Sequence, residues 1–192
     1  MALRRELRLR IEIKKTTFCN DDLTPESLEA LTLVDGVWRE ACGHFVAIRA
    51  SQRQSGSITL FGIQKTINQV LTERFTEAGW LGTESRFRKN STWVRFTFRH
   101  QMSVGSEILD AIKVSNKEGI SQCFLISAPN EFLKIISPKD AGSLTSFEKI
   151  VNELATLENA ISVPLILGAL VPNSVLPSNV RDEVYGPRLS KS

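Results

Sequence analysis

Residues 84–100 hold the side chains best suited to chemistry: Arg86, Arg88, Lys89, Arg95, Arg99 and His100, interleaved with Phe87, Val94, Phe96 and Phe98. Guanidinium groups are permanently charged and present a planar fork of donors that matches phosphate oxygens, so this set suits a phosphate backbone. Thr97 shares the alternation of Arg95 and Arg99 and adds a hydroxyl, and His100 closes the run where it could touch phosphate. The two histidines of the chain, His44 and His100, have no second histidine or acid at a spacing that would make a general base, so both read as surface or strand-end residues.

These side chains need a scaffold that turns them to one side. From Trp93 the residues alternate, with Val94, Phe96 and Phe98 against Arg95, Thr97 and Arg99, the period of a strand with one apolar face. Across Lys89-Asn90-Ser91 the earlier run sets Glu84, Arg86 and Arg88 against Phe87, which predicts a β-hairpin with an arginine face. The plain alternative is a solvated hairpin whose arginines keep a sheet edge soluble. Ser51 to Ser57 reads as a polar loop from which Arg53, flanked by Gln52 and Gln54, would reach a DNA groove or remain an ordinary solvated connection.

The flanking sequence supplies the remaining elements. Leu7 to Lys14 alternates apolar and charged residues and predicts a half-buried edge strand. Thr24-Pro25-Glu26 predicts a helix start, with Thr24 as N-cap and the helix ending before Gly36. Gly43 to Ala50 reads as a second strand. Ile63, Ile67, Val70, Leu71 and Phe75 predict a helix over Gly62 to Ala78, closed by Gly79, and Val104, Ile108, Leu109, Ile112 and Val114 another over Ser103 to Lys117. Cys123 to Ile126 reads as a strand buried on both faces, Glu131 to Ile136 as a short strand, Ser143 to Asn159 as a helix and Val163 to Val171 as a final buried strand. The order predicts an α/β domain over residues 1–171, a mixed sheet flanked by helices, followed by a tail or arm over 172–192.

Totals narrow the function classes. A chain of 192 residues with 42% apolar composition can bury one full core, and a formal charge of +3 leaves any nucleic-acid affinity to local placement of charge. Cys19, Cys42 and Cys123 stand at scattered spacings, which argues against a disulfide framework or a zinc site and for a reduced cytoplasmic setting. The charged N-terminal decapeptide does not read as a signal peptide, and no apolar run approaches the roughly 20 residues a bilayer span requires. Glycine-rich phosphate loops, HExxH and GxSxG are absent. Trp38, Trp80 and Trp93 are scattered and read as packing residues.

Three phrases carry a family resemblance over about half of the chain: Ile67-Asn68-Gln69 through Gly79-Trp80; Trp93 to His100 with the Ser106 to Lys113 helix; and Ser146-Phe147-Glu148-Lys149-Ile150 followed by Ile161-Ser162-Val163-Pro164-Leu165-Ile166-Leu167. With the order of elements, they resemble the type II restriction endonucleases of the BglII, BstYI and BamHI group, within the PD-(D/E)XK nuclease superfamily. The resemblance implies a restriction-endonuclease-like core and a homodimer on double-stranded DNA. It also implies a catalytic hairpin with an upstream Asp, then a carboxylate, a spacer and a third polar group, whose carboxylates hold Mg²⁺ to polarise a phosphate and activate water.

This chain departs from that pattern. Matching Phe98-Arg99-His100 to the end of the catalytic strand places Arg95 at the metal-binding carboxylate, Thr97 at the third group and Arg86 at or near the upstream Asp. The resulting expectation is a DNA-binding pseudonuclease with no metal, contacting DNA through Arg86, Arg88, Lys89, Arg95, Thr97, Arg99, His100 and Arg53. It would act as an inactive homologue or as the non-cutting subunit of a DNA defence or restriction-modification assembly. One alternative is an active Mg²⁺-dependent endonuclease using displaced carboxylates, Glu84, Glu107 or Asp110, with Glu73 or Glu77. Glu107 and Asp110, three apart, share a helical face, where acids are usually solvated. Another is a protein-interaction module that holds an enzymatic partner.

Overall fold

The structure, a computed structural model, describes residues 9–15, 22–55, 62–83, 85–138, 140–157 and 164–172. The strands among them are β1 (Leu9–Lys15), β2 (Leu81–Thr83), β3 (Arg86–Lys89), β4 (Thr92–Phe96), β5 (Gln122–Ser127) and β6 (Leu165–Pro172), and the α-helices are α1 (Pro25–Val34), α2 (Val37–Ser55), α3 (Gln64–Glu77), α4 (Val104–Glu118), α5 (Asn130–Ile136) and α6 (Phe147–Leu157). The strands form one six-stranded sheet in the order β1-β6-β5-β4-β3-β2. Its centre, β4-β5-β6, is parallel, while β1 joins β6 and the β2-β3-β4 meander joins the other side antiparallel. Parallel neighbours need crossovers, and α4 supplies the one between β4 and β5.

Two apolar clusters explain why the central strands read as continuous hydrophobic runs. One packs Phe87, Val94, Phe96, Phe124, Ile126, Ile166 and Leu170 beneath α1, α2, α3 and α5. The other packs Trp93, Cys123, Leu125, Leu165 and Leu167 against Val104, Ile108 and Ala111 of α4 and Ile150 and Leu154 of α6. Every residue of β5 is buried as a result, as its unbroken apolar pattern predicts. The edge position of β1 and the mixed sheet with helices on its faces also agree with the sequence pattern.

Local chemistry explains the helix boundaries. Thr24 Oγ1 accepts from Ser27 N at 3.1 Å, and Pro25 occupies the first turn, where its missing N–H costs nothing. Thr24 also joins a network with Ser27, Thr92 and Gln122, and Gln122 Nε2 donates to Asp22 O at 2.7 Å, so the start of α1 is pinned across the sheet. Gly79 closes α3 at φ +79°, a left-handed conformation that glycine adopts without a Cβ penalty.

Several expectations are corrected. Gly43 to Ala50 is the middle of α2, and Ser51 to Ser55 is its last turn; residues 56 and 57 lie outside the described set. Its buried residues Val37, Trp38, Ala41, Cys42, Phe45 and Arg49 recur at helical spacing, a period masked in the sequence by a glycine and a run of β-formers. Glu131 to Ile136 is the helix α5, with Phe132, Leu133 and Ile136 inward, and α6 starts only at Phe147 after a 3-10 turn at Ala141–Ser143. β2, three exposed residues without alternation, had no signal. The strand at the end of the chain extends through Pro172, and the tail over 173–192 lies outside the described residues. Among the described residues Cys42 and Cys123 are free and buried, and no helix is long and apolar enough to cross a membrane.

Gly168 marks the tightest packing in the sheet. A Cβ there would stand 2.8 Å from Ile11 Cγ2 and 2.8 Å from Ile126 Cγ1. Gly168→Ala is expected to destabilise the protein by about 1–3 kcal/mol through overpacking, measured as a drop in the urea midpoint without a change of slope.

Candidate functional site

Pairing between β3 and β4 sets Arg86 opposite Arg95, Phe87 opposite Val94, Arg88 opposite Trp93 and Lys89 opposite Thr92, with Asn90 at φ +50° in the turn. Alternation therefore puts Arg86, Arg88 and Arg95 on one face, as expected, and Lys89 on the other with Phe87. Lys89 Nζ there donates to both oxygens of Glu29, at 2.9 and 2.8 Å, and to Ala78 O at 2.9 Å, tying the hairpin to α1 and the end of α3.

The arginine face is not open along its length, because α4 covers it. The inward stripe of α4 includes Val104, Ile108 and Ala111, and Glu107 stands within it at 1% exposure. Opposite lies Arg95, 4% exposed. Its Nε donates to Glu107 Oε2 at 2.7 Å and its Nη2 to Oε1 at 3.0 Å, a two-point match of fork to carboxylate. Burial pushes the Glu107 carboxyl up, but hydrogen bonds and charge from Arg95, reinforced by Arg99 and Arg86, outweigh it and hold the group below the usual carboxylate range. Arg99 Nη1 sits 3.5 Å from the same Oε1, with its own side chain 57% exposed. One turn along α4, Asp110 Oδ2 accepts from Arg86 Nη2 at 3.0 Å.

Where β3 begins and β4 ends, these groups border a polar cleft of about 210 Å³, lined by Arg86, Arg95 and Arg99 together with Gln64 and Asn68 of α3 and Ser85. Ser85 is 5% exposed and holds φ +69°, and its carbonyl accepts from Phe96 N at 2.9 Å, which joins the two strands at the cleft wall. Asn68 Oδ1 is buried with no hydrogen-bond partner among the described residues. A group of cations with amide and hydroxyl side chains in a concavity of this size can hold one tetrahedral anion by charge-assisted hydrogen bonds.

The other expected residues are distributed around this centre. Arg88 is half-buried and donates to Asn90 O at 3.4 Å. Thr97 is fully buried and its Oγ1 has no hydrogen-bond partner among the described residues, so it stands in the sheet layer and not on an exposed face. His100 is exposed; its Nδ1 accepts from Met102 N at 3.3 Å and caps the turn leading into α4. Arg53 is on the last turn of α2 and does not line the cleft. Glu73 and Glu77 are exposed on α3, and Glu84 lies outside the described residues.

The described residues of the site do not fit a divalent metal. Both oxygens of Glu107 are taken by Arg95, Asp110 is paired with Arg86, and among the described residues no three His, Cys, Asp or Glu side chains come together. A cation beside Arg95 and Arg86 would also meet repulsion on the order of several kcal/mol at an effective dielectric near 20. Sequence reasoning missed Gln64, Asn68 and Ser85. Gln64 and Asn68, four apart beside the apolar stripe of α3, signal a polar flank, whereas Glu107, expected as a displaced metal ligand, occupies a stripe position of α4 where a carboxylate needs a buried cation.

No protein-family model matches the chain, and no curated protein sequence does. Solved structures do. The restriction endonuclease BglII complexed with a DNA 16-mer superposes with a TM-score of 0.55 at 16% identity, over 84% of this chain and 76% of that one. Free BglII superposes with a TM-score of 0.54 at 14% identity, over 84% and 79%. The chain thus has a restriction-endonuclease-like fold, a mixed sheet flanked by helices, as the resemblance implied.

Removing the carboxylate under Arg95 leaves a buried charge without its partner. Glu107→Gln is expected to cost about 3–5 kcal/mol of unfolding free energy in denaturant titration. Because the folded pKa of Glu107 lies below its ordinary value of 4.5, its ionisation adds a separate pH-linked contribution to wild-type stability, present above that pH and lost as pH falls through the lower folded value. The acid limb of the stability curve should therefore be shallower in Glu107→Gln, and an unaltered limb would remove the assignment.

Proposed function

We propose that this protein binds double-stranded DNA as a non-cutting relative of restriction nucleases, with the arginine cleft on a backbone phosphate. The observation that carries the reading is the register of β3 and β4. Positions 86 and 95, where the family resemblance calls for metal-binding carboxylates, face each other across the hairpin as arginines. Arginine at such positions exchanges the chemistry of the site. A metal polarises phosphate and activates water, whereas guanidinium groups bind the phosphate directly and leave no activated nucleophile. The fold supports the substrate class, since the neighbouring structure of BglII holds a DNA 16-mer.

The residues divide by role. Arg86 and Arg99, 46% and 57% exposed, are the contacts free to move toward DNA, and Arg88 and His100 extend the surface on either side. Arg95 is buried and shapes the cleft from below, Thr97 is buried in the sheet layer beside it, and Lys89 holds the hairpin in place. In this reading the protein works as a homodimer in the cytoplasm, either occupying duplex DNA alone or serving as the non-cutting subunit of a defence or processing assembly. The active-nuclease alternative is disfavoured by the pairing of Glu107 and Asp110 with arginines.

The test is duplex binding and plasmid cleavage by the full chain in Mg²⁺, Mn²⁺ and EDTA at several salt concentrations. Binding is expected to be equal with and without metal, with no cutting. Arg86→Gln with Arg99→Gln should weaken it and make the slope of log affinity against log salt shallower by about 0.9 per lost phosphate contact. Metal-dependent cutting would overturn the non-cutting reading, and an unchanged salt slope would remove the cleft from the DNA interface.

A further inference from the structure

The two carboxylates of α4 differ in a way that bears on which phosphates the cleft admits. Glu107 is 1% exposed and locked to Arg95, so no ligand can reach it without opening the sheet–helix interface. Asp110 is 36% exposed, and its single contact with the 46%-exposed Arg86, at 3.0 Å, is of the solvent-screened kind that holds weakly. Both belong to one helix, and because Glu107 anchors that helix against β4, the backbone of Asp110 is held where its carboxylate reaches Arg86. A tethered carboxylate in this position offers Arg86 what a phosphate would offer, an anionic oxygen in the plane of the guanidinium.

From this geometry we infer that Asp110 is a specificity-determining residue that competes with phosphate for Arg86, excluding isolated phosphate ions and admitting a phosphate that belongs to a nucleic-acid strand. The inference rests on the DNA-binding reading and adds to it a rule of selection. Three guanidinium groups line the cleft, and the carboxylates paired with them, Glu107 and Asp110, reduce their summed charge to one positive, enough for a singly charged phosphodiester. A free phosphate must displace the tethered carboxylate with nothing else in return. A duplex brings neighbouring phosphates to Arg88 and Arg99 and releases counterions, and so can break the Arg86–Asp110 contact.

The experiment measures binding of a short mixed-sequence duplex to the full chain, with inorganic phosphate as competitor, for the wild type, Asp110→Asn, Arg86→Gln and the double variant. Asp110→Asn is expected to bind duplex about two- to fivefold more tightly and to be displaced by inorganic phosphate at lower concentration than the wild type. That gain should vanish in the Arg86→Gln background. A gain that survives there would show a general field effect and overturn the inference. Weaker binding by Arg86→Gln with no change in Asp110→Asn would overturn it too, leaving the cleft as a DNA site. Unchanged duplex binding in Arg86→Gln and in Asp110→Asn would remove Arg86 from the DNA interface, and the selection rule with it.

Discussion

The buried ion pair between Arg95 and Glu107 is the constraint on which the arrangement around the hairpin depends. An arginine at the centre of a sheet cannot remain charged beneath a helix unless a carboxylate meets it, and a carboxylate in the apolar stripe of a helix has the same need. The two requirements are satisfied together and with two-point geometry. Removal of two charges from water offsets most of their attraction, so the pair contributes little net stability compared with an apolar replacement, yet either partner alone would be costly. What it contributes is position: α4 can pack on β4 only in the rotation and register that bring Glu107 to Arg95.

From that anchor outward the charged pairs become progressively more exposed. Arg99 shares the Glu107 carboxylate from the rim, and Arg86 reaches the half-exposed Asp110 one turn further along. Solvent screening weakens each step, so one continuous set of charges is rigid at its base and exchangeable at its mouth. The other face of the hairpin is held separately, by Lys89 on Glu29 and Ala78 and by Phe87 stacked on Phe75 with ring centroids 4.5 Å apart. Buried anchors thus hold both faces of the hairpin, and the exposed charges stand only at the rim of the arginine face.

Much of this was legible in the alternation of residues 86–99, because side chains on a strand must point to opposite faces whatever surrounds them. The pairing of Arg86 with Arg95 comes from the two-residue turn at Asn90-Ser91, whereas the polar stretch Lys89-Asn90-Ser91 left the register open. Helices with long apolar stripes and a closing glycine, such as α3 and α4, were legible for the same local reasons. Two segments misled. In α2 the run from Gly43 to Ala50 has a glycine and several β-formers, and it is helical where Phe45 and Arg49 continue the buried stripe of Val37, Trp38, Ala41 and Cys42. In α5 a single turn and a half of apolar residues fits either period, and Pro129 at its start was the one hint of a helix.

The sequence alone determined which residues of 86–99 alternate, where the proline-started α1 begins and where the striped helices α3 and α4 lie, since each is a property of residue type and spacing. It did not determine what lies over the arginine face. Alternation makes that face polar and says nothing of solvent, and only the packing of α4 on β4 decided that Arg95 is enclosed with Glu107 while Arg86 and Arg99 stay at the rim. Nor did spacing reveal that Gln64 and Asn68, thirty or so residues upstream, close the same cleft. Such contacts join segments distant in the chain, so their free energies belong to the assembled core and to no local pattern.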